Sequence, residues 1–244
     1  MSSWRPFRAV TALVLCAAAT LACDPPRVAS TAFGAVDVRR CKPAEGTTGR
    51  PQTIAEAVEL INGLPSPVTS ACVLEALQRP LQLEVSKSPN SAQPAVGERS
   101  PRVFIFSGDK LVITAATAGE GQNLIEFGET VAPGRSVKAE LEFPLETPFE
   151  ESLAYTRIRN PEHDNITTCF VCHDDEVDEA GFPGGRSSMA LRPHDRTILP
   201  LSDLQTEYAG CDAADEPARC MMLGALVAWG PVEHRAFDPK LPSF

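Results

Sequence analysis

The chain has 244 residues, 43% hydrophobic and 22% charged, which is enough for one or two cores and too mixed for a wholly disordered protein. Its 32 acidic residues against 22 basic ones give a formal net charge of -10. That balance argues against nucleic acid and against charge-driven binding to anionic lipid, and electrostatic steering would favour a basic partner.

Met1 to Ala22 carries Arg5 and Arg8, no acid, and then the apolar run Ala9 to Ala22. A basic start followed by about 14 apolar residues and small residues at the end is the order of an export signal, since a permanent span needs about 20. The run ends Thr20-Leu21-Ala22-Cys23. This resembles a bacterial lipobox, in which the cysteine after a small residue is lipidated and becomes the new N-terminus, although Thr20 stands where that signal usually has leucine. The resemblance implies lipidation of Cys23, a periplasmic or cell-envelope address and a membrane contact through the lipid anchor; plain secretory cleavage nearby is the alternative. Asp24-Pro25-Pro26 and the polar residues to about Arg50 read as a flexible tether, 23–50.

Thr53-Ile54-Ala55-Glu56 has the capping-box form ahead of Ile54, Val58 and Ile61 on one face, so a short helix is expected, ending at Asn62-Gly63. A second is expected from about Cys72 to Leu77, stopping before Pro80. The periodicity then changes. Val103 to Phe106 and Leu111 to Thr114 flank Ser107-Gly108-Asp109-Lys110 as a hairpin, and Asn123 to Phe127 and Ser136 to Phe143 read as further strands. In the last of these Val137, Ala139, Leu141 and Phe143 alternate with Lys138, Glu140 and Glu142, the pattern of an antiparallel strand with one wet face. From about Phe149 turn residues dominate, with helices expected at Ser202 to Tyr208 and at Ala218 to Trp229, the latter bracketed by Pro217 and Gly230. The predicted class is α+β: a β-rich module at 51–148, followed by a loop-and-helix module at 149–244.

Of eight cysteines, Cys16 lies in the signal and Cys23 at the proposed lipidation site, leaving six. An oxidising address makes disulfides plausible, and spacing suggests Cys211 with Cys220 and Cys41 with Cys72, although six cysteines allow many connectivities. The remaining group is Cys169-Phe170-Val171-Cys172-His173. In one helical turn, residues three and four apart share a face, so two thiols and the following imidazole can address one planar ligand. This is the attachment signature of c-type cytochromes, which implies one covalent haem c with Cys169 and Cys172 as thioether attachments and His173 as an iron ligand. The resemblance to cytochromes c is confined to these five residues. The competing readings are a disulfide between Cys169 and Cys172, and a zinc site with His163 as an added ligand.

For the second axial ligand the candidates are Met189 first and His194 second, with Met221, Met222, His234 and His163 behind them, and a vacant position equally open. The acidic run Asp174-Asp175-Glu176-Val177-Asp178-Glu179 reads as a solvated face. Beyond the motif, the blocks Ile61-Asn62-Gly63-Leu64-Pro65, Glu75-Ala76-Leu77-Gln78-Arg79-Pro80-Leu81, Ser91-Ala92-Gln93-Pro94-Ala95 and Ser100-Pro101-Arg102-Val103-Phe104-Ile105 resemble those of an uncharacterised family of exported bacterial proteins that also end in a C-x-x-C-H region. The resemblance implies that the two modules belong together and transfers no activity. The expected function is electron transfer or haem-based sensing with an unknown redox partner, an open sixth position favouring gas binding or peroxide chemistry. The chain reads as a carrier more than a catalyst, as neither G-x-S-x-G nor H-E-x-x-H is present. The alternative is a non-catalytic envelope lipoprotein with structural disulfides and a partner-binding module.

Overall fold

A computed structural model describes residues 41–88, 93, 95 and 97–244. The signal segment, Cys23 and the tether as far as residue 40 lie outside the described residues. Helix α1, Ile54–Asn62, starts as its sequence requires: the Thr53 hydroxyl oxygen accepts the Glu56 N–H at 3.1 Å. Glu56 closes the box one residue early, its carboxylate accepting the Gln52 N–H at 2.6 Å. Helix α2 is Ser70–Ala76, capped by Thr69.

Strands β1 (Leu81–Ser86), β2 (Arg102–Ser107), β3 (Leu111–Ala116), β4 (Leu124–Ala132) and β5 (Arg135–Glu142) form a continuous antiparallel meander. The β2–β3 hairpin has the expected turn, with Gly108 at φ 67°, a left-handed conformation open to glycine at little cost. After β5 come a single turn of helix α3 (Leu153–Thr156) and short strands β6 (Val177–Asp178), β7 (Arg186–Met189) and β8 (Ile198–Leu199). Helices α4 (Leu201–Ala209) and α5 (Pro217–Val227) precede β9 (Val232–His234). Among the described residues the nine strands make one sheet, ordered β6-β7-β5-β4-β3-β2-β1-β8, with β9 parallel to the other end of β1.

The α+β class therefore holds, but the two modules do not separate. The segment after residue 149 adds strands to both edges of the sheet begun by the first, because β5 and β1 each offer an unpaired edge that must be satisfied. The last residues of the segment expected as a tether, from residue 41 on, lie among the described residues. Cys41 is buried and bonded to Cys72, so the chain has joined the core by that residue.

Alternation along the strands decides which face is which. Leu83, Val85, Ile105, Ile113, Ile125, Phe127, Val137 and Leu141 are buried in the cluster that includes Ile54, Ile61 and Leu74 of α1 and α2 and Leu223 and Leu226 of α5. Glu129 of β4 also faces this side, and its carboxylate accepts the Ile54 N–H at 2.7 Å, satisfying an orphan donor at the start of α1. The opposite face carries Arg102, Phe104, Phe106, Thr114, Glu126, Gly128, Lys138 and Glu140. No helix among the described residues is long and apolar enough to cross a membrane.

Candidate functional site

The C-x-x-C-H segment is a single tight turn with Thr168–Val171 in 3-10 conformation. Thr167 starts it, its hydroxyl oxygen accepting the Cys169 N–H at 3.1 Å. The Cys169 carbonyl then accepts the N–H groups of both Cys172, at 3.0 Å, and His173, at 2.9 Å. Behind the turn the Thr168 N–H donates to the Ile158 carbonyl at 2.8 Å, and the Thr167 N–H donates to the Glu176 carboxylate at 2.6 Å. The Thr167 hydroxyl also donates to Glu176, whose side chain is 2% exposed and lies 3.7 Å from Arg186. Glu176 thus departs from the rest of its acidic run, where Asp174, Asp175 and Asp178 are exposed as expected. Glu176→Ala should cost the turn about 1–3 kcal/mol through its unpaired donors. Amide exchange at Cys169, Cys172 and His173 should quicken while β2 to β4 stay protected; unchanged exchange would show that Glu176 does not hold the turn.

Cys169, Cys172 and His173 all line a cleft of about 300 Å³ on the polar face of the sheet. Its floor is a straight cross-strand row, Lys138, Gly128, Val112 and Phe106, continued by Gln82. Three strand spacings separate Lys138 from Phe106, about 14 Å in all. The other wall is the C-terminal segment. Phe237 packs edge-on against Phe104 and Phe106 at 5.1 and 4.8 Å, Arg235 stacks 4.9 Å over Phe106, and the Phe237 N–H donates to Glu84 at 2.9 Å. The cleft therefore has an apolar, aromatic end and a thiol–imidazole end.

The His173 Nδ1 lies 2.8 Å from the Met189 carbonyl oxygen. A carbonyl only accepts, so Nδ1 carries the proton and the Nε2 lone pair is left for the cleft. Burial first, and then the nearby Lys138 charge, hold the imidazole down to about 4, so it is neutral at physiological pH as a metal ligand must be. A backbone carbonyl on the second ring nitrogen is the usual outer partner that orients a metal-bound histidine. Burial likewise pushes the Cys169 thiol up to about 12, which is contrary to the depressed value of a redox-active C-x-x-C pair. Both motif cysteines are free thiols, whereas Cys41–Cys72 and Cys211–Cys220 are disulfides, the pairings the spacing suggested. Among the described residues no three His, Cys, Asp or Glu side chains, those of the motif included, come together as a metal site.

No protein-family model, curated protein or solved structure matches the chain. The site therefore has to be read from its own geometry. Met189, the first candidate for a second axial ligand, is not among the residues lining the cleft, and its backbone carbonyl is the partner of His173 Nδ1. His194 caps the turn at Asp195 through Nδ1, which accepts the Arg196 N–H at 3.3 Å, and is likewise absent from the lining.

Two cleft residues escaped the sequence reading. Lys138 shows there only as a polar position in an alternating strand. Its ammonium donates to the Ser136 carbonyl and hydroxyl at 3.2 and 2.6 Å and to the Ser188 hydroxyl at 3.3 Å, and burial brings it down to about 8. Gly128 lies beyond the end of the predicted strand at Phe127. A glycine inside a strand without a bend is the signal that would have found it.

Proposed function

We propose that this protein is an exported, lipid-anchored carrier of one covalent haem c, used for electron transfer or haem-based sensing at the cell envelope. The observation that carries the reading is that two unpaired thiols and a neutral, carbonyl-oriented imidazole face one cleft from a single turn, while the other described cysteines are in disulfides. In this reading Cys169 and Cys172 hold the ring by thioether bonds and His173 Nε2 binds the iron. The residues present fit such a group: Phe104, Phe106 and Phe237 line the cleft and offer apolar surface to a porphyrin. When bound, the haem supplies an iron that exchanges one electron or takes a small ligand.

The protein's own part is to orient His173 through Met189, to hold the turn through Glu176 and to shield one side of the group with the sheet. Phe170 and Val171, between the cysteines, are exposed, Val171 at 87%, and the exposed Asp174, Asp175 and Asp178 follow within a few residues along the chain. An apolar contact rimmed by acid suits a basic redox partner. The likeness to exported proteins ending in C-x-x-C-H, and the lipobox-like Thr20 to Cys23, agree with this address. The test is a haem-stained denaturing gel of protein exported in a host that matures c-type cytochromes. A stained band at the size of the chain is expected. Colourless protein in that host would defeat the reading and leave a disulfide-bonded envelope protein with a partner-binding cleft.

A further inference from the structure

A haem used only to carry electrons is commonly held from both sides by protein ligands, usually histidine or methionine. This chain has four histidines and four methionines, and all except Met1 lie among the described residues. Of these described residues, His173 alone lines the cleft. Met189 stands behind it, Met222 is in the core beneath the Ser70 hydroxyl at 3.4 Å, and Met221 is exposed on α5. His194 caps a turn, His234 lies in β9 at the far edge of the sheet, and His163 is exposed. The amines in the lining are Lys138, tied by its three hydrogen bonds, and Lys110, exposed just before β3.

The floor adds a second, independent observation. Gly128 sits in mid-strand, paired with Val112 and Lys138, with no positive φ to require glycine and no neighbour that a methyl group would strike. Glycine there weakens the strand without answering any need of the backbone or of packing, and such positions mark the close approach of something other than the chain itself.

We propose that the sixth position of the iron carries no side chain of this protein, and that the space over Gly128 admits a small uncharged diatomic ligand. The proposal rests on the haem reading and selects ligand binding over simple electron carriage within it. The step is coordination alone: the ligand gives a lone pair to ferrous iron, no bond in it breaks, and no further oxidant or reductant is consumed.

Carbon monoxide is the probe, added to the haem-loaded full chain after reduction with dithionite. A high-spin ferrous spectrum that converts fully to the carbonyl form is expected. Gly128→Leu should keep its covalent haem and bind carbon monoxide about tenfold more weakly, because the added side chain fills the space. If Gly128→Leu fails to load haem, Gly128→Ala replaces it, with a smaller weakening in the same direction. Unchanged affinity in the glycine variants would overturn the placement over Gly128. A low-spin ferrous spectrum that ignores carbon monoxide would overturn the open position while the stained gel still upheld the haem, and conversion to high spin in Lys138→Leu would then name the amine as the ligand. Colourless wild-type protein would overturn the reading beneath both.

Discussion

Changing Cys169 and Cys172 to alanine together is expected to remove covalent haem to background while leaving the fold intact. In the proposed reading each thiol supplies one thioether, so either single variant should lose most of the stained band and the double variant all of it. Neither cysteine is bonded to another part of the chain, and Cys172 is exposed. The unfolding free energy of haem-free protein should therefore move by no more than about 1 kcal/mol. Urea titration of the haem-free variants, beside the stained gel, separates the two roles. A loss of several kcal/mol in the double variant would mean that the pair is structural, and the haem reading would lose its attachment points.

Removing the Cys41–Cys72 disulfide should have the largest effect on stability. The bond spans 31 residues, and a loop of that size constrains the unfolded chain by about 4 kcal/mol, against about 3 kcal/mol for the shorter Cys211–Cys220 loop. It also fixes the point at which the chain joins the core, since Cys41 is buried and its N–H donates to Glu75 at 3.4 Å. The double variant Cys41→Ser, Cys72→Ser, compared with the wild type by urea titration, should fall by that order. A loss below about 1 kcal/mol would place the anchor of this segment elsewhere.

What was legible in the sequence was what local chemistry decides. Thr53 announces α1, Pro217 opens α5, and Ser107 to Lys110 mark the β2–β3 turn, each through contacts a few residues apart. The alternation in β5 told its core face from its polar face because the helices cover one side of the sheet only, although Lys138 on the polar face is itself desolvated in the cleft. Strands β6 to β9 were illegible for a physical reason. They are two to four residues long and exist because a longer strand offers an edge, and β7 has no apolar alternation, its Ser187 and Ser188 both being fully buried. Strand β1 did carry a signal, in Leu81, Leu83 and Val85, hidden by its brevity and by Pro80 before it.

The site divides in the same way. A five-residue motif fixes its own turn, so Cys169, Cys172 and His173 could be singled out without a structure. What surrounds an iron ligand is set by the tertiary fold, and distance along the chain ranked Met189 first although its backbone, not its sulfur, serves His173. The same ranking was silent about Gly128 and Lys138, which reach the cleft only through strand register.

The far wall of the cleft is the last part of the chain. Arg235 joins β1 through the Leu83 carbonyl, Phe237 covers Phe104 and Phe106, and the Phe244 N–H closes on the Arg192 carbonyl at 3.1 Å. In a chain translocated from its N-terminus, the cysteine turn emerges well before that wall is delivered. An enzyme that ligates the two thiols would thus meet an open half-cleft, and the aromatic residues would close over the product only once residues 235–244 had followed. Order of synthesis alone would then give assembly a direction, with loading first and enclosure second.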